Sequence, residues 1–173
     1  MVDKNQAVID FLFTCPKIAD SRLFFNFING KANDKQIITS TNDVAVQKPF
    51  IDGSIMKRYT FTVVDFRAIT SQAIVNVPSF SDVGTTTTVP TTDYKNQNVE
   101  EMLDVQGIMD WITEQAEARN FPNFGSDCIV DNMFTTSDNP NLNGVDRNST
   151  PAIAKYSMSI QIDYVDNTKK IWN

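Results

Sequence analysis

The chain has 173 residues, 41% of them hydrophobic, with a net charge of −6 and no histidine. A chain of that length suits one domain, which buries about 70% of the surface its unfolded form would expose and needs no disulfide or metal to fold. An acidic balance without a long basic run is poorly suited to gripping phosphates. The missing imidazole removes Ser-His-Asp and Cys-His catalysis, imidazole zinc ligation and the usual neutral-pH proton shuttle.

No apolar run is long enough to cross a bilayer. The opening MVDKNQAVIDFLFTCP has no cationic leader and no small-residue cleavage site, so it does not read as a secretory signal, and the expected site of folding is a cytoplasm. Cys15 and Cys128 are then expected to be reduced, partly buried thiols, with a bridge between them as the alternative.

Asp3 is a candidate N-cap with Gln6 three residues on, a capping-box pattern. The helix it opens runs through Val8, Ile9, Phe11 and Leu12 and stops before Pro16. In the following RLFFNFING, Leu23, Phe25 and Phe27 share one face, and Phe24, Asn26 and Ile28 share the other. Both faces are largely apolar, so an interior strand is expected, closed by a turn at Asn29-Gly30. Gln36 to Thr41 reads as a short strand, and Val44 to Phe50 as an extended piece that Pro49 places at an edge. Asp52-Gly53 is another turn. Ile55 to Arg67 is a long strand, with Tyr59, Phe61 and Val63 on one face and Thr60, Thr62 and Val64 on the other.

Residues 68–97 change character, with a Thr85 to Thr88 run, Pro78 and Pro90 and many Ser, Asp and Asn. They read as an extended loop or as a projecting hairpin with Gly84 near its tip. A plain surface excursion and a partner-binding arm both fit.

Asn98 to Asn120 is the one long amphipathic helix. Asn98 is its expected cap, Glu101 reaches back to that cap, and Arg119 sits at the negative end of the dipole. Val99, Met102, Val105, Met109, Ile112 and Ala116 recur at helical spacing, and Leu103, Ile108 and Trp111 widen the stripe. Gly107 weakens it by about 1 kcal/mol relative to alanine. One apolar helix face needs something flat to cover, and the strands supply it.

Phe121-Pro122 closes the helix. Asp127 to Thr136 reads as a strand and Ser137 to Pro151 as a polar loop. Ala152 to Asp166 is the cleanest strand, with Ala154, Tyr156, Met158, Ile160, Ile162 and Tyr164 pointing one way. The opposite face is polar after Ile153, which also fixes the register. The expected class is α+β: one domain over residues 1–173, a mostly antiparallel sheet covered by the two helices, long loops, and a short tail at 167–173.

Few constellations carry chemistry. Asn139 to Gly144 spaces oxygen ligands like the start of an EF-hand loop. It has Asn where Asp belongs and Thr150 at the twelfth position, so a plain turn is the better reading. Asn148-Ser149-Thr150 is a glycosylation sequon without consequence in a cytoplasm. Glu100, Glu101 and Asp104 read as a solvated first turn, and the aromatics of Arg22 to Phe27 as core. No catalytic residue, metal site or cofactor emerges. Ile171 and Trp172 in the polar tail read either as a docking contact or as side chains that fold back onto the domain.

Several stretches together resemble the small tail-terminator proteins of long-tailed bacteriophages. The opening helix ending FLFTCPKI resembles the family's first helix and its Thr-Cys-Pro close. Lys48-Pro-Phe-Ile-Asp-Gly53, followed by Lys57-Arg-Tyr-Thr-Phe61, resembles its turn into a long strand. Trp111-Ile-Thr-Glu-Gln115, running to Asn120-Phe-Pro122 and Gly125, is the closest stretch, and Tyr156 to Tyr164 resembles the final strand. The loops at 68–97 and 137–151 are longer than the family pattern.

The resemblance implies an α+β fold and no enzymatic chemistry. It implies a ring, usually of six copies, seated on the tail tube and facing the head connector. The partners it implies are other copies of the chain, the tail-tube protein and the head-completion protein, with no membrane. DNA would pass through without specific binding, which an acidic chain favours. Assembly would occur in the host cytoplasm and the finished protein would sit at the head–tail junction of the virion. The residues expected to make such contacts are Phe80, Val83, Val89 and Tyr94 in the long loop, with Ile171 and Trp172 in the tail. A neighbouring neck protein or the tail-tube subunit is the nearest alternative, and a small acyl-transfer enzyme is the alternative from another class.

Overall fold

The computed structural model describes residues 3–19, 21–26, 30–39, 44–45, 49–69 and 94–169, with 44–45 and 94–98 described through their backbone alone. Within them the chain order is α1 (Lys4–Leu12), β1 (Arg22–Phe25), β2 (Asp34–Thr39), β3 (Val44–Ala45), β4 (Ile55–Ile69), α2 (Tyr94–Glu117), β5 (Cys128–Thr135), β6 (Asn141–Asp146) and β7 (Ala152–Asp166). The strands make a single sheet in the order β1-β2-β4-β7-β5, with β3 added beside β4 and β6 beside β7. β1 is parallel to β2, and every other pairing among the described residues is antiparallel. The α+β expectation holds.

β4 and β7 are the spine. They pair along their whole length, from Ile55 opposite Asp166 to Ile69 opposite Ala152. The alternation read from β7 is the burial observed: Ala154, Tyr156, Met158, Ile160, Ile162 and Tyr164 are all buried. They join Tyr59, Phe61 and Val63 of β4 and Ile37 of β2 in one core. Each large aliphatic or aromatic side chain among them contributes about 1.5–3 kcal/mol by leaving water.

Both helices cover that face. Asp3 caps α1, accepting from the Asn5 amide at 2.9 Å. The second half of the expected capping box does not form, because the Gln6 amide donates to Asp10 at 2.7 Å instead. Val8, Phe11 and Leu12 enter the core, and the Phe11 ring meets Trp111 of α2 at 5.0 Å. The Tyr59 hydroxyl donates to Asn5 at 2.5 Å and ties α1 to β4.

α2 begins at Tyr94, four residues before the expected cap, so Asn98 and Glu101 lie inside the helix and not at its start. Val105, Ile108, Met109 and Ile112 are buried as the stripe requires, with Met102, Trp111 and Ala116 packed beside them. Val99 and Leu103 are not: they are 48% and 59% exposed. The apolar face is narrower at this end because charged side chains hold the helix there.

One further expectation is corrected: among the described residues β1 pairs with β2 alone and stands at the sheet's edge, not in its interior. Apolar residues on both faces report cover above and below the sheet and say nothing of lateral neighbours. Leu23 and Phe25 do pack against the core. Of the expected Asn29-Gly30 turn, Asn29 lies outside the described residues, and Gly30 takes a positive φ of 68°.

The expected polar loop 137–151 contains β6. β5 pairs with β7 only from Ile160 to Asp166, which leaves the backbone of Ile153 to Ser157 without a partner on that side. β6 supplies one, with a register shift between Leu142 and Gly144. The expected Asn/Gly turn at 139–144 is therefore largely strand. The expected loop 68–97 is shorter at both ends, because β4 runs to Ile69 and α2 starts at Tyr94. The proposed arm and its Gly84 tip lie outside the described residues.

Candidate functional site

Of the expected contact residues, Phe80, Val83, Val89, Ile171 and Trp172 lie outside the described residues. Tyr94 is placed by its backbone alone, as the first residue of α2. Three features of the described surface and interior remain to be weighed.

The first is an ionic cluster between the sheet and the N-terminal half of α2. Asp65 follows Val63 on the core face of β4, opposite Lys35 of β2, and both side chains are fully buried. Lys35 Nζ donates to Asp65 at 3.3 Å. Arg67, two residues on, donates to the other Asp65 oxygen through Nε at 3.0 Å and Nη2 at 2.9 Å. Its Nη2 also lies 2.5 Å from Asp104 of α2, and Glu101 is 3.9 Å from its Nη1. Lys17 reaches Asp104 from the α1–β1 connection at 2.6 Å. Three cations thus face three carboxylates.

Burial lowers the Lys35 ammonium, against the opposing pull of Asp65. Burial raises Glu101, against Arg67. At Asp104 burial also works upward, but the hydrogen bond from Lys17 and the charge of Arg67 outweigh it and hold the carboxyl low. The expected solvated reading of Glu100, Glu101 and Asp104 is thus corrected for two of the three. Only Glu100 is exposed, while Glu101 and Asp104 turn inward. A carboxylate spacing of three residues, matched to a charged strand end such as Asp65-Phe-Arg67, was the available signal.

The second feature is a cleft of about 760 Å³ where the start of α1, the start of β4 and the end of β7 meet. Lys4, Lys57, Phe124, Asp127, Cys128 and Asp166 line it. Lys57 donates to Asp166 at 2.6 Å, and the side chain and amide of Thr168 donate to the other Asp166 oxygen. Burial works against that carboxylate, yet these bonds lower it to about 2. Burial raises the Cys128 thiol. Cys15 is buried, its thiol also raised, and both cysteines are free thiols in this structure. Among the described residues no group of His, Cys, Asp or Glu could hold a metal.

The third feature is exposed apolar surface. Asp52-Gly53 forms its turn, with Gly53 at φ 85° and its amide donating to Phe50. That turn carries Ile51 fully exposed and Phe50 at 42%. Ile129 on β5 is exposed beside Val165 of β7, which also borders the Phe50-Ile51 turn, whereas Leu142 and Val145 on β6 are exposed beside Tyr156 and Ala154 toward the other end of β7. Sequence reading missed these residues, although two large apolar residues directly before an Asp-Gly turn were a visible sign. On the face away from the helices, Arg58 grips Asp163 with two bonds of 2.6 and 2.8 Å and lies 5.5 Å from the Phe134 ring.

The fold and these surfaces define an α+β protein with one helix-covered sheet face and apolar groups left in solvent at the sheet's margins. Comparison with known protein families, curated proteins and solved structures finds no match. Among the described residues no helix is long and apolar enough to cross a membrane.

Proposed function

We propose that this chain is a structural virion protein, the tail terminator of a long-tailed bacteriophage. In this reading copies close into a ring, usually six, that caps the tail tube and joins it to the head connector. The protein assembles in the host cytoplasm and remains at the head–tail junction. DNA passes the ring without being gripped, as the net charge of −6 favours.

The observation that carries the reading is the exposed apolar surface on separate margins of one sheet. The Phe50-Ile51 turn borders Val165 near the end of β7, with the exposed Ile129 beside it, and Leu142 and Val145 lie on β6 toward the other end of β7. A ring of identical subunits uses two different patches per copy. Exposed apolar groups rimmed by polar ones mark contact surfaces. The stretches that resemble the terminator family fall on α1, the β3–β4 turn, the end of α2 and β7. No catalytic step belongs to this reading.

Negative-stain microscopy of the purified protein, alone and mixed with tail tubes, tests it. Single closed rings, or density added at tube ends, support a terminator. Long filaments point to a tube subunit instead, and binding to connectors alone points to a neck protein. A monomer that binds neither overturns the reading.

A further inference from the structure

α2 is fastened to the sheet by two different means. From Val105 onward it is held by apolar packing, with Val105, Ile108, Met109 and Ile112 all at 2% exposure or less. Before Val105 the fastening is ionic. Asp104 and Glu101 converge on Arg67, and Asp104 also takes Lys17. Of the apolar residues in 99–104, Met102 packs against the core while Val99 and Leu103 face solvent. Gly107, the residue least able to stiffen a helix, follows three positions after Asp104, the last ionic contact.

We infer that the first half of α2 is an ionic latch, able to leave the sheet as a unit while the second half stays packed. The Arg67–Asp104 contact is its fastening and the helix around Gly107 its hinge. Arg67 suits this because its other donors stay on Asp65 of its own strand, 2.9 and 3.0 Å away. The Lys35–Asp65–Arg67 group therefore remains internally paired when the helix departs, whereas the Lys17–Asp104 pair, which joins the α1–β1 connection to α2, parts with the Arg67 contact. Opening breaks two close charge contacts, Arg67–Asp104 and Lys17–Asp104, and one longer one, Arg67–Glu101, and of the apolar residues from 99 to 106 it uncovers Met102 and Val105, since Val99 and Leu103 already face solvent. Local opening draws on such regions of low apolar contact. This device is independent of the proposed role in a phage tail.

Amide hydrogen exchange on the full chain tests it, comparing segments 99–106 and 108–117. Asp104→Asn is expected to speed exchange in 99–106 by about ten-fold and to leave 108–117 within about two-fold. Raising salt from about 50 mM to about 500 mM on the unaltered chain at fixed pH is expected to act on the same segment, more weakly. Gly107→Ala is expected to slow exchange in 99–106. The salt series decides the matter should Asp104→Asn loosen the whole fold. Equal acceleration of both segments by salt, or none in either, overturns the latch.

Discussion

The amide of Asn120 donates to the carbonyl of Gln115 at 2.9 Å, closing α2 with a bond that spans five residues. The Arg119 amide bonds to Ala116 at 3.1 Å inside it, and Arg119 itself sits at φ 53°. This is the Schellman arrangement, whose left-handed position is usually glycine. A residue with a Cβ loses about 1–2 kcal/mol there, of which glycine's extra freedom when unfolded takes back about 0.5–1 kcal/mol. Arg119→Gly is therefore expected to stabilise the fold by about 0.5 kcal/mol, and Arg119→Val to destabilise it by about 1 kcal/mol or more. Urea unfolding should rank the three chains Gly, Arg, Val; the reverse order contradicts the left-handed geometry.

Gly107 has the opposite character. It lies within α2 without a positive φ, and a Cβ added there would meet the Lys17 Cε at 3.5 Å, an ordinary contact. Gly107→Ala should therefore keep the helix and the Lys17–Asp104 pair and gain about 1 kcal/mol of helix propensity. In a chain of this size that gain raises Tm by about 2–4 °C. A fall in Tm would mean that the lysine stem cannot accept the methyl group.

Acid should act through Asp166. Its folded-state pKa is about 2 against an ordinary 3.8. The depressed value means that the carboxylate stabilises the fold fully above pH 4 and loses that contribution as pH falls toward 2. The shift amounts to about 2 kcal/mol, and to about 1 kcal/mol after solvent screening. Asp166→Asn is expected to be less stable than the original chain at pH 7, and the gap is expected to close between pH 4 and pH 2. Denaturant midpoints at pH 7, 4 and 2.5 check this. A gap independent of pH would assign the loss to packing.

What the sequence made legible was whatever a period could express. β7 was read to the residue because six apolar side chains alternate with polar ones over fifteen positions. The second half of α2 was equally plain. The first half was misread because Val99 and Leu103 fit the helical period, while the true fastening runs through Asp104 to Arg67, 37 positions away in the chain and invisible to any local pattern. β6 was missed for a related reason. Its Asn-Leu-Asn-Gly-Val-Asp has little strand character, and it is a strand because β7 offers it backbone partners. The Lys35–Asp65 pair likewise depends on β2 lying beside β4. The exposed turn at Ile51 could have been read, since its neighbours state a turn and its side chain is large and apolar.

Ile51 offers the cleanest separation of folding from assembly. It is fully exposed, so its side chain contributes no burial energy within one chain, and the turn rests on Asp52 and Gly53 instead. Asp52 accepts from the Ser54 amide at 3.0 Å and from its hydroxyl at 2.6 Å, and both bonds survive a change at position 51. Ile51→Asp is therefore expected to leave stability within about 0.5 kcal/mol, as surface changes do. A side chain used as an anchor between copies behaves differently. Burying a charge in its place costs several kcal/mol unless it is paired, and anchors of this kind carry about 2 kcal/mol or more of a contact. Sedimentation velocity across a concentration series is thus expected to show self-association lost in Ile51→Asp at unchanged Tm. Leu142→Asp, toward the other end of β7, is expected to give the same result, because a ring contact fails when either of its halves is removed. Mixing the two variants should then restore only a dimer, since each copy keeps one sound patch and a pair can join through one contact alone. Unaltered association in both variants would move the contact to other parts of the surface.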